Sequence, residues 1–161
     1  MNMRKLVVII YSLVLLFAGC DDLEDKPYTT GEANGLVEDY GTAEMYILNE
    51  GLFNLNNSTL ARYSFLTNSC SYDYFRALNH RGLGDTANDM DIYGSKLYVV
   101  VNVSSTVEVI DLQSGLSVKQ IPMLTDNGSS RQPRAITFDS GKAYVCSYDG
   151  TVARIDTASL E

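Results

Sequence analysis

The chain has 161 residues, and its 45% hydrophobic and 20% charged content is typical of a globular protein rather than a disordered one. Its 20 acidic residues outnumber its 12 basic residues, which gives a formal net charge of -8. A surface of that sign repels phosphate groups, so the composition excludes nucleic acid as a partner. Eleven Tyr and five Phe, with no Trp and three Pro, favour a β-rich fold.

Residues 1–19 have the parts of a secretory signal peptide. A basic start that contains Arg4 and Lys5 precedes an apolar run over residues 6–17. A bilayer span needs roughly 20 apolar residues, so this run is too short for one and has the size of a signal-peptide core. We therefore predict that this segment is removed from the mature protein.

Residues 16–20 read LFAGC and resemble the lipobox of bacterial lipoproteins, with Phe17 where Leu is usual. The resemblance implies that the Cys20 thiol is lipidated and that its freed amine takes a further acyl chain. More than one chain gives a stable membrane anchor. The alternatives are a soluble periplasmic protein cleaved nearby and a buried apolar strand.

Residues 20–43 are predicted to be a flexible acidic tether. An acidic cluster, residues 21–26, follows the lipidated cysteine and resembles the surface-export signal of lipoproteins in gut Gram-negative anaerobes. A solvated charged linker is the alternative. The rest of the tether is polar and glycine-containing, without apolar periodicity. We expect an outer-membrane protein, held by its lipid and facing the cell exterior.

The remaining cysteines, Cys70 and Cys146, are predicted to lie in different sequence repeats. The exported compartment permits a disulfide between them. Their placement in different repeats instead favours two unpaired and mostly buried thiols.

Two segments of the chain recur at a fixed spacing. Residues 92–99 recur as residues 138–145, at an offset of 46, and residues 106–111 recur as residues 151–156, at an offset of 45. A fainter copy begins at Met45. A period near 45 with about four strands is that of a β-propeller blade. Both faces of a middle blade strand are buried, which explains continuous apolar runs in place of alternation.

The repeats predict an all-β fold over residues 44–161, an incomplete β-propeller with about three four-stranded blades and no confident helix. The blades span residues 45–78, 90–123 and 134–161. The predicted strands are 45–50, 58–65 and 71–78, then 90–93, 96–102, 106–112 and 117–123, then 134–138, 142–148 and 151–156. Three blades cannot close a ring of four to eight. We therefore expect a fragment, a truncated product or one part of an assembly, and favour a fragment; an isolated β-sandwich is the alternative.

The longest and most polar predicted loops emerge at one rim of such a structure. They are residues 51–57, 103–105 and 149–150 between second and third strands, and residues 79–89 and 124–133 between blades. Long loops on a rigid scaffold commonly carry binding sites.

Candidate ligand-binding residues in these loops combine an aromatic platform with amide, carboxylate and guanidinium groups. They are Phe53, Asn54, Asn56, Asn57, His80, Arg81, Asp85, Asn88, Asp89, Arg131, Gln132 and Arg134. Such a set suits a large polar ligand held by many contacts. Turn formation is the alternative role for each single Asn or Asp.

The sequence carries little catalytic signal. His80 is the single histidine, and no Gly-x-Ser-x-Gly elbow or metal-binding His pair occurs. The spacing of Asp85, Asp89 and Asp91 differs from that of a calcium loop. We predict a protein that is not an enzyme and that uses no metal or cofactor.

Three segments carry a family resemblance: residues 46–51 (YILNEG), 56–60 (NNSTL) and 82–90 (GLGDTANDM). They resemble surface propeller lipoproteins of gut anaerobes, similar to the seven-bladed propellers that capture cobalamin and hand it to an outer-membrane transporter. The resemblance extends over residues 45–161. It implies a non-catalytic capture protein for cobalamin that partners a TonB-dependent transporter. A glycan-binding or adhesive surface protein and a periplasmic propeller enzyme are the alternatives.

Two short segments, residues 85–87 and 156–158, also resemble the O-glycosylation sequence used in these bacteria. Thr86 and Thr157 are the hydroxyl residues of these segments. The resemblance implies that glycans are attached there.

Overall fold

The computed structural model describes residues 44–161, so the predicted signal peptide, Cys20 and tether lie outside the described residues. Ten strands and one short helix follow one another in this part of the chain. They are β1 (Glu44–Asn49), β2 (Thr59–Ser64), β3 (Ser69–Ser71), α1 (Tyr74–Asn79), β4 (Ala87–Tyr93), β5 (Lys96–Val101), β6 (Thr106–Asp111), β7 (Ser117–Pro122), β8 (Pro133–Asp139), β9 (Lys142–Ser147) and β10 (Val152–Asp156). The expectation of an all-β fold is confirmed.

The strands form three separate antiparallel sheets, each a meander in which chain neighbours pair. Sheet 1 has the order β1-β2-β3, sheet 2 the order β4-β5-β6-β7, and sheet 3 the order β8-β9-β10. The two copies of the sequence repeat therefore lie in different sheets, and the strands predicted for the second and third copies are confirmed. The three sheets of residues 44–161 do not close into a ring.

Sheet 2 is buried on both faces. On one face of β5, Leu97, Val99 and Val101 pack in a cluster with Leu60 of sheet 1. On the other face, residues of β5 and β6 pack with Val145 and other residues of sheet 3. Burial on both faces explains why β5 is a continuous apolar run from Leu97 to Val101. Each fully buried Val or Leu contributes about 2 kcal/mol to the free energy of folding.

The segment that we predicted to be the strand 71–78 is mostly helical, so that prediction is wrong. Helix α1 begins after Asp73, whose side chain accepts a hydrogen bond from the Arg76 N–H, and ends at His80 in the left-handed conformation. Tyr74 and Phe75 are buried by the packing of this turn. A six-residue helix is too short to show a 3.6-residue apolar stripe, so the sequence pattern did not reveal it.

Cys70 and Cys146 are both unpaired, as expected from their different repeats. The expectation that they are buried is wrong, because Cys70 is half-buried and Cys146 is exposed. Within residues 44–161, no helix combines the length and the apolar character needed to cross a membrane.

Candidate ligand-binding rim

The loop between β1 and β2 folds into a fixed shape through its own polar groups. The Asn57 Oδ1 accepts a hydrogen bond of 2.8 Å from the Leu52 N–H. The residues Gly51, Asn54 and Asn56 have positive φ angles of 79°, 62° and 51°. Gly and Asn tolerate this left-handed region better than other residues do. A Cβ at Gly51 would lie 2.4 Å from Asn57 Oδ1, so this position also needs glycine for space.

Asp85 anchors this loop to the segment before β4. Its two carboxylate oxygens accept hydrogen bonds of 3.1 Å from the backbone N–H groups of Asn54 and Asn56. The hydroxyl of Thr86 donates to the same carboxylate at 2.7 Å. That hydroxyl, followed by the two backbone N–H groups, holds the pKa of Asp85 below its ordinary value although desolvation opposes the shift.

The same segment is joined to the next loop, between β5 and β6. The Asp85 N–H donates to the Ser104 Oγ at 2.8 Å, and the Asp85 carbonyl accepts from the Val103 N–H at 3.2 Å. In addition, the Ser58 N–H donates to the Gly84 carbonyl at 3.1 Å. Three of the predicted rim loops therefore form one hydrogen-bonded unit.

This anchored loop holds three large apolar side chains in water. Leu52, Phe53 and Leu55 are 64%, 69% and 59% exposed, and we call them the apolar finger. Phe53 was a sequence candidate, whereas the two leucines were missed. In the sequence, the two leucines could have been recognised as apolar residues on either side of Phe53 in an otherwise polar, Asn-rich loop.

Arg131 joins the loop before β8 to the turn between β9 and β10. Its guanidinium donates to the Leu124 carbonyl at 3.0 Å, to Asp149 Oδ2 at 2.9 Å and to the Thr151 hydroxyl at 3.1 Å. The pKa of Asp149 is lowered mainly by the hydrogen bond from the Thr151 hydroxyl, and Arg131 contributes to the same shift. The Nε and Nη1 groups of Arg131 are bonded to the protein, so this side chain positions the loops.

Gln132 and Arg134 lie beside Tyr148 at the same rim. The Tyr148 N–H donates to the Gln132 carbonyl at 3.0 Å, just as the Asn102 N–H donates to the Thr86 carbonyl at 2.8 Å one repeat earlier. The Arg134 guanidinium lies 5.2 Å from the centre of the Tyr148 ring, a cation–π arrangement. Tyr148 is 65% exposed and was missed as a candidate.

Asn88 and Asp89 lie on β4, the strand that starts next to Asp85. Asp89 Oδ2 accepts a hydrogen bond of 2.7 Å from the Ile136 N–H, so this carboxylate ties β4 to β8. The side-chain oxygen of Asn88 is buried and has no hydrogen-bond partner among the described residues.

His80 and Arg81 lie at the start of the predicted rim loop 79–89, next to α1 rather than next to Asp85. His80 is exposed at the end of α1. The Arg81 guanidinium donates to Glu108 Oε1 at 2.7 Å and to the Ser117 hydroxyl at 3.0 Å. Glu108 lies in the middle of β6 with no exposed surface. Arg81 therefore pairs with a buried carboxylate of sheet 2. In the sequence, the one indication of such a pair is a single Glu inside the apolar run of β6.

Thr86 and Thr157 do not present their hydroxyl groups for glycosylation. Both residues are buried. The Thr86 hydroxyl donates to Asp85, and the Thr157 hydroxyl donates to the Gly141 carbonyl at 2.9 Å. The expectation of glycans at these positions is therefore not supported by the folded structure.

Two further observations concern the surface outside the rim. An open depression of about 480 Å³ lies between sheet 1 and α1, where Arg62 pairs with Glu44 and lies against Tyr74. None of the sequence candidates lines it. Within residues 44–161, no group of three or more His, Cys, Asp or Glu side chains is arranged to hold a metal ion.

No protein-family model matches the chain, and no curated protein matches it. Solved structures with a similar fold include the computationally designed Ika8 protein, at 13% identity, a TM-score of 0.50 and coverage of 72% of this chain and 31% of that one. A chain of the nidogen/laminin complex is 17% identical with a TM-score of 0.51, covering 74% of this chain and 41% of that one. A chain of Kuenenia stuttgartiensis hydrazine synthase is 22% identical with a TM-score of 0.47, covering 64% and 28%. This chain therefore spans less than half the length of each of these three chains, and the likeness concerns the fold alone.

Proposed function

We propose that this chain is a surface-exposed lipoprotein that captures a ligand on the rim and passes it to an outer-membrane transporter. In this proposal the three sheets are blades of an incomplete β-propeller. The repeat of 45 to 46 residues, the meander order of each sheet and the burial of sheet 2 between its neighbours support that architecture. The lipobox-like segment supports an anchor at Cys20 in the outer membrane.

The observation that carries the proposal is the apolar finger. Leu52, Phe53 and Leu55 are more than half exposed, although the backbone that holds them is fixed by Asp85 and Asn57. A rigid loop loses little conformational entropy when a ligand binds, so more of the contact energy appears as affinity. Exposed aromatic side chains on such a loop are typical centres of binding energy.

The groups around the finger favour a large amphipathic ligand. The finger offers apolar contact, and the rim adds the side-chain amides of Asn54, Asn56 and Gln132. Cobalamin, a broad macrocycle with peripheral amide groups, presents both kinds of surface. Its amides can exchange hydrogen bonds with the side chains of Asn and Gln.

Calorimetric titration of the detergent-solubilised chain with cyanocobalamin tests this function. We expect saturable heat for the wild-type chain and at least a tenfold loss of affinity, on the order of 1.4 kcal/mol, for Phe53→Ala. Phe65→Ala is the matched control, because Phe65 is 54% exposed but lies just after β2, outside the rim. Absence of heat at high micromolar concentration removes cobalamin as the ligand.

Glycan capture is a second candidate function. Phe53 and Tyr148 are exposed aromatic rings, and each lies near amide or guanidinium groups that can bond sugar hydroxyls. A glycan array probed with the same chain distinguishes the two functions. Binding that is lost in Tyr148→Ala and absent for cobalamin would favour the glycan.

A further inference from the structure

The two faces of sheet 2 show which surfaces pack between neighbouring sheets. On β5 and β6, Tyr98, Val100 and Val107 have no exposed surface and pack in one cluster with Val145 and Ile155 of sheet 3. This is the face that sheet 2 turns toward the sheet that follows it in the chain.

Sheet 3 carries the same face, but no residue within 44–161 packs another sheet against it. The repeat offsets match Tyr98 with Tyr144, Val100 with Cys146, and Val107 with Val152. In sheet 3, Cys146 is exposed and Val152 is 64% exposed. The three side chains line an open groove of about 260 Å³ together with Ala135, Ile136 and Thr137. We call this surface the tail face.

Sheet 1 carries the opposite face. The β1–β2 hairpin pairs Asn49 with Thr59 at its loop end, and the β5–β6 hairpin pairs Val101 with Thr106 at the same place. Aligning the two hairpins on these pairs matches Asn49 with Val101. It therefore matches Ile47 with Val99 and Met45 with Leu97. Leu97 and Val99 are at most 1% exposed because they pack against sheet 1. Met45 and Ile47 are 44% and 37% exposed. We call the surface around these two residues the head face.

We propose that the head face of one copy of this chain packs on the tail face of a second copy, as sheet 3 packs on sheet 2 within the chain. This contact is independent of the ligand. Each copy carries both halves of an interface that already exists inside it, which is why a second copy is the partner that fits. The contact is heterologous, since different surfaces of the two copies meet. It covers apolar strand residues that are exposed within residues 44–161.

The geometry also predicts a covalent probe of this contact. Within the chain, Val100 of sheet 2 packs in one cluster with Val145 of sheet 3. In the repeat, Cys146 takes the place of Val100. Ile47 of the head face takes the place of Val99, and therefore also of Val145. In a head-to-tail pair, the thiol introduced by Ile47→Cys therefore lies near Cys146 of the next copy. Mild oxidation of the variant that combines Cys70→Ser with Ile47→Cys joins the two thiols, with loss of two electrons and two protons to the added oxidant.

Sedimentation velocity of the full chain in density-matched detergent tests the proposal at concentrations up to about 100 µM. We expect dimers or larger species for the wild-type chain. We expect monomers for Ile47→Asp and for Val152→Asp alone, with association weakened at least about 100-fold. Val118→Asp is the control, because Val118 is 50% exposed on β7, outside both faces.

Mixing the two blocked variants distinguishes a head-to-tail contact from any other. Ile47→Asp retains an intact tail face and Val152→Asp an intact head face, so an equimolar mixture should form two-copy species and nothing larger. The disulfide between the thiol introduced by Ile47→Cys and Cys146 of a second copy should form dimers that reducing agent separates. A monomeric wild-type chain without this cross-link overturns the proposal, as does equal association of all three Asp variants.

Discussion

The Asp85 carboxylate lies 3.1 Å from the backbone nitrogen of Asn54, a residue 31 positions earlier in the chain. The contact fixes the loop that holds the apolar finger to the segment that leads into sheet 2. The loop of the apolar finger is therefore stiffened by a residue that lies in the connection between two other strands. The second carboxylate oxygen holds Asn56 in the same way, so a single side chain fixes the loop backbone at two points.

Asp85→Ala should loosen the apolar finger without unfolding the sheets. The variant removes the acceptors for two backbone N–H groups, so hydrogen exchange at Asn54 and Asn56 should accelerate at least about tenfold. Affinity for the rim ligand should fall as well, because the loop must then be ordered on binding. Asp126→Ala, in an exposed loop, is the control and should leave both quantities unchanged. Unchanged exchange in Asp85→Ala would contradict the anchoring role.

Acid should loosen the same loop. The pKa of Asp85 is below its ordinary value of 3.8 in the folded protein. A lowered folded pKa means that the carboxylate contributes stability above the unfolded pKa and that this contribution is lost as pH falls through the folded pKa. The finger should therefore be ordered at neutral pH and become mobile below about pH 4.

A single tryptophan makes this acid transition measurable, because the chain has no Trp of its own. The fluorescence anisotropy of a Phe53→Trp variant should stay constant from neutral pH to about pH 4 and fall at lower pH. Adding Asp85→Asn should lower the anisotropy at neutral pH and flatten the pH profile. The same profile in both backgrounds would show that another group controls the loop.

Arg81→Ala should destabilise the fold through Glu108. The substitution leaves a fully buried carboxylate without its cation, at a cost of about 3 kcal/mol in the free energy of unfolding. Hydrogen bonds from Ser117 and Gln120 to Glu108 remain and keep the loss near that value. Arg76→Ala, which removes an exposed pair with Asp73, should cost less than about 1 kcal/mol. Urea unfolding of the two variants measures the difference, and equal losses would refute it.

Gly84→Ala should be far more costly than Gly94→Ala. Both glycines have positive φ angles, of 135° and 61°. A Cβ at Gly84 would meet Val101 Cγ1 at 2.7 Å, whereas no atom lies within 4 Å of a Cβ at Gly94. The crowded and strained site should lose about 2 kcal/mol more than the open one. Thermal unfolding provides the comparison, and similar midpoints would contradict the crowding.

The sequence predicts the sheets better than the contacts between loops. Strand β5 is recognisable because burial on both of its faces leaves a near-continuous apolar run, and β9 is recognisable because it repeats that run at a fixed offset. Helix α1 escaped prediction because its six residues depend on an Asp73 cap and on tertiary burial of Phe75. Propensity alone does not reveal a helix of that length.

The rim was only partly predictable for a different reason. Its residues were placed by strand order, which correctly brought the loops of Asn54, Asp85 and Ser104 together. The sequence does not reveal which polar side chains are already hydrogen-bonded within the protein, because the partners lie far apart in the chain. Arg81 and Arg131 bind carboxylates that lie 27 and 18 positions later. The exposed leucines of the finger depend on the same long-range anchoring.

Hydrogen-exchange mass spectrometry of the chain with and without cyanocobalamin, the proposed ligand, tests the central claim most directly. The account predicts slower exchange in peptides that contain the apolar finger and Gln132, at the rim. It predicts no change at Gly94 and Gly115, in the turns at the opposite ends of the strands. Protection at those turns, with none at the finger, would contradict it.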